Sequence, residues 1–159
     1  MSNDKAKNIE AIYPLSPMQQ GMLFHSVYNE GGGEYFEQFH CTIQGELNQD
    51  AFVRALRMIV QRHSTLRTAF VWKKTSKMLQ VVQKQVELPL FTLDWSEYGE
   101  TQHSEKFNEL IASDRKKGFN LSKAPLMRFY IIRLGDKKFS FTGRFITCSQ
   151  TAGPCPSYS

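Results

Sequence analysis

Arg62-His63-Ser64-Thr65-Leu66-Arg67-Thr68-Ala69-Phe70 is the stretch where the chain changes its hydrophobic rhythm. Before it, Phe52, Ala55, Leu56, Ile59, Val60 and His63 recur at steps of three and four, the signature of one buried helix face. Asn48 stands where that helix needs its N-cap. After it, Thr68 to Trp72 and Leu79 to Gln83 read as two strands around a Lys/Thr/Ser turn. A helix that gives way to a strand across so short a turn is the unit of an α/β fold.

Towards the N-terminus, Tyr35 to Leu47 alternates, with Phe39, Cys41 and Ile43 on one side and Gln38, His40 and Thr42 on the other. Gly45 ends or kinks that strand, and Gly31-Gly32-Gly33 precedes it as a turn. Earlier still, Ser16 caps a helix with Pro17 at its first position and Gln19 at capping-box spacing. Met18, Met22 and Leu23 give it an apolar stripe to about Val27, and residues 1–10 read as a polar lead-in.

Towards the C-terminus, Pro89 to Asp94 is extended and leads into a polar stretch. Phe107, Leu110 and Ile111 mark a third helix that decays at Lys116-Lys117-Gly118. Leu126 to Leu134 and Lys138 to Phe145 form a hairpin about Gly135-Asp136. Residues 146–159 have no period and no charge, which is a coil composition. Helices and paired strands in this order predict helices over a mixed sheet, residues 11–145 forming the structured part.

Composition excludes several classes. The net charge is +5, yet the basic residues are scattered: runs are pairs such as Lys73-Lys74, and the longest is the triplet Arg115-Lys116-Lys117. Nucleic-acid binders concentrate that charge on one face, so no nucleic acid is expected as a partner. No apolar run approaches the roughly 20 residues of a membrane span. Cys41, Cys148 and Cys155 make neither a disulfide framework nor a metal pair, and an odd count fits a reducing cytoplasm. His25 and His40 lack metal-ligand spacing with each other or with Cys41.

Three stretches carry a resemblance. Tyr13-Pro14-Leu15-Ser16-Pro17-Met18-Gln19-Gln20-Gly21-Met22-Leu23-Phe24-His25 is similar to the opening motif of the condensation domains of nonribosomal peptide synthetases. Arg62 to Phe70 matches that family's second motif, Arg-His-x-x-Leu-Arg-Thr-x-Phe. Phe119-Asn120-Leu121 with Ala124-Pro125-Leu126-Met127-Arg128 resembles the segment before its active-site strand. The resemblance implies a chloramphenicol-acetyltransferase-like α/β two-layer sandwich, here the N-terminal lobe only and incomplete. It implies carrier-protein domains and the rest of a synthetase as partners. Phosphopantetheine is then presented by those partners, and no cofactor binds directly. Arg67, Arg62 and His63 would brace the active site, and Met18, Gln19 and Met22 are tunnel-lining candidates. For Met18 and Met22 a plain core stripe competes, and for His63 a packed core imidazole.

The family's catalytic motif, His-His-x-x-x-Asp-Gly, would follow Phe145. Imidazole suits a step in which an amine attacks a thioester near neutral pH. This chain has Ile146, Thr147 and Thr151 at the His, His and Asp positions, so no catalytic residue is assigned and Arg67 is expected to lack its Asp partner. A one-base shift near codons 145–146 restores the motif: codons of the present tail are compatible with His-His-Val-Leu-Ala-Asp-Gly-Trp. Gly143 stands where the family commonly has a bulky aromatic, which reads as drift or sequence error. Two functions follow as expectations. One is an inactive piece of an amide-forming condensation domain; the other is a non-catalytic docking module for a carrier protein or synthetase partner.

Overall fold

A computed structural model describes residues 7–28, 36–73 and 75–146. It runs β1 (Ile9–Pro14), helix α1 (Pro17–Tyr28), β2 (Phe36–Gln44) and helix α2 (Gln49–Arg62). A 3-10 turn, Ser64–Arg67, leads into β3 (Thr68–Val71), β4 (Leu79–Gln83) and β5 (Leu90–Asp94). Helix α3 (Glu100–Lys117) and the hairpin of β6 (Met127–Gly135) and β7 (Lys138–Ile146) follow. The glycine turn at 31–33, Tyr35, Cys148, Cys155 and the tail from Thr147 lie outside the described residues.

Two sheets result. The larger has the order β2-β7-β6-β5, with β5 parallel to β6 and the other pairs antiparallel. The smaller has the order β1-β4-β3, antiparallel throughout. Helix α2 covers one face of the large sheet, where Val60, Phe52, Val53 and Leu56 meet Phe129, Ile131 and Phe141. Helix α3 lies on the other face, with Phe107 against His40 (ring centroids 4.5 Å apart) and Asp114 against Tyr130. This is the mixed sheet under helices that the alternation predicts. No helix among the described residues is long and apolar enough to cross a membrane.

The helix caps of α1 and α2 carry their sequence assignments. Asn48 accepts from the Ala51 amide (2.9 Å), and Ser16 and Gln19 bond reciprocally at 2.9 and 3.2 Å. Gly45, at φ +116, turns the chain after β2 in a conformation that other residues rarely adopt.

Five expectations are corrected. Ile9 and Glu10 are strand residues where a lead-in is expected: Ile9 pairs with Gln83 of β4, and Glu10 sits at the irregularity before Ala11. Ile9 is the only apolar residue of the two, and β4 supplies the ladder. Ala55 and Ile59 are exposed and Val53 packs in their place, because the ring of Phe52 seats edge-on against Phe141 and rolls the helix that way. His63 is exposed too: the helix stops at Arg62, and an extended His63 (φ −104, ψ 105) leaves the 3.6-residue rhythm. The hairpin turns at Asp136-Lys137, one residue late, and β7 reaches Ile146, which is buried, where coil is expected.

Gly143 is also reinterpreted. It lies mid-strand opposite both Phe39 and Phe129. A Cβ there would collide with Cε1 of Phe39 and with Cδ1 and Cε1 of Phe129. The volume a bulky residue would take at this position is already filled by its two cross-strand neighbours, so glycine here is a packing requirement.

Candidate functional site

The three motif stretches, far apart in sequence, converge at the end of β7. Leu15 and Leu23 from the first, Phe70 from the second, and Leu121 and Leu126 from the third form one buried cluster with Ile146. Backbone bonds tie it together: Leu126 accepts from the Ile146 amide at 3.1 Å and Leu121 from the Phe70 amide at 2.8 Å. The strand that leads into the motif position is therefore held by all three motifs at once.

The chain's similarity to known proteins agrees with this convergence. The family model described as "Condensation domain" matches residues 9–145. The chain belongs to the condensation-domain family. It is 41% identical over 139 residues to a component of the linear gramicidin synthase of Brevibacillus parabrevis, covering 87% of this chain and 2% of that protein. It is 32% identical over 134 residues to bacitracin synthase 1 of Bacillus licheniformis, covering 84% of this chain and 2% of that protein. Among solved structures, the starter condensation domain of rhizomide synthetase superposes with TM-score 0.73 at 19% identity, over 87% of this chain and 34% of that one. A four-domain nonribosomal peptide synthetase bound to AMP and glycine superposes with TM-score 0.76 at 13% identity, over 89% of this chain and 10% of that one. The fold is thus the chloramphenicol-acetyltransferase-like one of condensation domains. The chain spans only a few per cent of the curated relatives it matches.

In this condensation domain Arg67 is 4% exposed and far from unpaired. Its Nη1 donates to Glu10 Oε2 at 2.6 Å and to the backbone oxygens of Gln83 and Lys84. Glu10 thus takes the charge that was expected to lack a carboxylate. One guanidinium ties β1 to the end of β4 from the turn after α2. Its Nε, also buried, has no acceptor among the described residues. Arg62 and His63 are exposed at the end of α2 and do not join it. Arg67→Met should lower stability by about 1.5–3 kcal/mol, the worth of hydrogen bonds from a charged donor. Glu10→Gln, whose carboxylate is 45% exposed, should cost under about 1 kcal/mol. Urea midpoints of the two variants check the ranking.

The three tunnel candidates separate. Gln19 is buried and spends its carbonyl on the Ser16 amide. Met22 packs on the motif cluster, the core reading, while Met18 is 66% exposed at the start of α1.

Sequence reasoning overlooked an ionic network beside the cluster. Asp114 on α3 is 2% exposed; its Oδ1 accepts from Arg128 and, at 2.7 Å, from the Tyr130 hydroxyl. Its Oδ2 lies 3.6 Å from Nη1 of Arg144, which also donates to the Asp114 backbone oxygen at 2.9 Å. Arg128 reaches on to the Gly118 carbonyl (3.1 Å) at the helix end, and Arg144 stacks over Phe36. One carboxylate so fastens α3 to β6 and β7 two residues before the motif position. The signal in the sequence was Arg128 and Arg144, each set beside aromatic residues within a strand, where a buried guanidinium must find an acceptor.

The network leaves a titration signature. Burial, then the bond and charge of Asp114, push the Tyr130 phenol up to about 12, while burial pulls Arg144 down. The fold favours the neutral phenol. Its contribution is complete below the ordinary tyrosine value of about 10 and is lost as pH rises towards 12. Ultraviolet titration should show one late tyrosinate, absent in Tyr130→Phe.

At the other end of β7 a cleft of about 320 Å³ opens between α3 and the large sheet. There His40 Nδ1 lies 3.3 Å from the Ser140 hydroxyl and His103 Nε2 lies 2.7 Å from the Trp95 carbonyl. Among the described residues no group of His, Cys, Asp and Glu could hold a metal.

Proposed function

We propose that this chain is the N-terminal lobe of a nonribosomal peptide synthetase condensation domain whose intact parent joins a carrier-bound acyl or peptidyl thioester to a carrier-bound aminoacyl amine. The observation that carries the reading is the convergence of the three motif stretches on Ile146, at the point where the chemistry would begin. That chemistry needs a proton acceptor near neutral pH at the motif position. Ile146, Thr147 and Thr151 supply none, so the chain itself forms no amide. Phosphopantetheine would arrive on carrier domains, and the lobe would contribute scaffold rather than a cofactor site.

The tail from residue 147 is read as the product of a one-base shift. Sequencing the gene around codon 145 tests this, and a restored frame that encodes no His-His-x-x-x-Asp-Gly would refute it. Inactivity is tested by incubating the purified chain with a donor thioester and an aminoacyl acceptor on their carrier domains. Mass spectrometry should find the two substrates unjoined; amide product above the uncatalysed level would overturn the reading.

A further inference from the structure

The outer face of α2 bears a pattern that neither the packing nor the proposed chemistry uses. Phe52, Val53, Leu56 and Val60 take the sheet side. On the opposite side Met58 is 72% exposed, with Arg54 one turn before it and Arg62 one turn after. Ala51, Ala55, Met58 and Arg62 follow each other at steps of four, three and four, a continuous seam along the helix. Ile59, 49% exposed, flanks the seam on one side and Arg54 on the other, with Arg57 further round beyond Arg54. Arg54, Arg57 and Arg62 are all exposed, and none makes an ion pair or side-chain hydrogen bond among the described residues. Asp50 is the helix's sole acidic residue.

We propose that this face docks an acidic amphipathic helix of a partner protein. Charge complementarity selects the occupant. Arg62 at the end of the seam and Arg54 and Arg57 along one side of it fit carboxylates along one edge of an approaching helix, each able to take a forked bond. The seam's spacing matches a helix rather than a strand, whose side chains repeat every second residue. Met58 is unbranched and polarizable, so it can adapt to the knob it receives. A second copy of the same face is disfavoured, because three arginines would meet three arginines. The proposal does not depend on the chemistry at the end of β7.

The test uses the full chain and a labelled, helix-favouring peptide of about 20 residues with Leu on its seam and Glu along one edge. Fluorescence anisotropy should show saturable binding that weakens with salt. Met58→Asp and the double variant Arg54→Glu/Arg57→Glu should each weaken it about tenfold or more, equivalent to about 1.4 kcal/mol. Both sites are exposed, so circular dichroism and the urea midpoint should stay unchanged. Arg57→Gln, which removes one charge and adds none, supplies a milder second variant. Equal binding by the variants, or by a peptide with Lys in place of Glu, would overturn the proposal. So would tighter binding of a DNA duplex or of phosphatidylglycerol vesicles, or a dimer that Met58→Asp abolishes.

Discussion

Asp114→Ala is expected to lower the free energy of unfolding by about 3–5 kcal/mol, the usual cost of leaving a buried charge without its partner. Here two arginines lose it together. Arg128 and the Tyr130 hydroxyl lose their shared acceptor, and Arg144 keeps only the backbone oxygen at 2.9 Å. Asp114→Asn retains an acceptor at Oδ1 but not the charge, so it should fall between wild type and Ala. Urea denaturation followed by tryptophan fluorescence gives the ranking. A change below about 1 kcal/mol for Asp114→Ala would place the network among ordinary surface pairs. The loss should be specific in space as well: α3 should detach from β6 and β7 before α2 does, which amide exchange would report as early deprotection of Glu100–Lys117.

Gly143→Phe should be the most damaging single change in the large sheet. Even Gly143→Ala forces both Phe39 and Phe129 from their places, and overpacking of this kind costs about 1–3 kcal/mol. A phenyl ring cannot be absorbed by small shifts, because Phe39 also meets Phe141 at 5.2 Å and Phe129 meets Phe141 at 5.6 Å between ring centroids. The decisive comparison is a double-mutant cycle. Phe39→Ala removes one of the two rings that Cβ of residue 143 would meet and leaves Phe129 in place, so the loss from Gly143→Ala should shrink in part in that background. Additive losses would mean that the strand, rather than the ring, sets the requirement for glycine.

The elements legible in the sequence were those with local causes. Ser16 with Gln19 and Asn48 announce helix starts because capping is settled within four residues. The start of α3 at Glu100 was hidden, since its first two turns are polar and Phe107 comes late. Ile9 and Glu10 were invisible as a strand because the partner of Ile9 in β4, Gln83, lies some seventy residues on. The same limit governs the site. Motif order points to the end of β7, and the second motif singles out Arg67, which is buried. The acceptor of Arg67 was not legible, because Glu10 is 57 residues away and nothing local marks it. Asp114 was lost for a similar reason: one acid in a helix rich in charge looks solvated until β6 and β7 bring two arginines beneath it.

The pairing of β2 with β7 sets an order of events at the ribosome. Thr142 on β7 reaches back to the carbonyl of Phe39, 103 residues earlier, and β7 is the strand that separates β2 from β6. At about 5–20 residues per second, β2 must wait roughly 5–20 s for its neighbour to emerge. Throughout that interval its hydrogen-bonding edge and the Phe39 ring have nowhere native to go. Synthesis rate and chaperone occupancy over that window, more than the final contacts, would then govern how much of the chain reaches its fold.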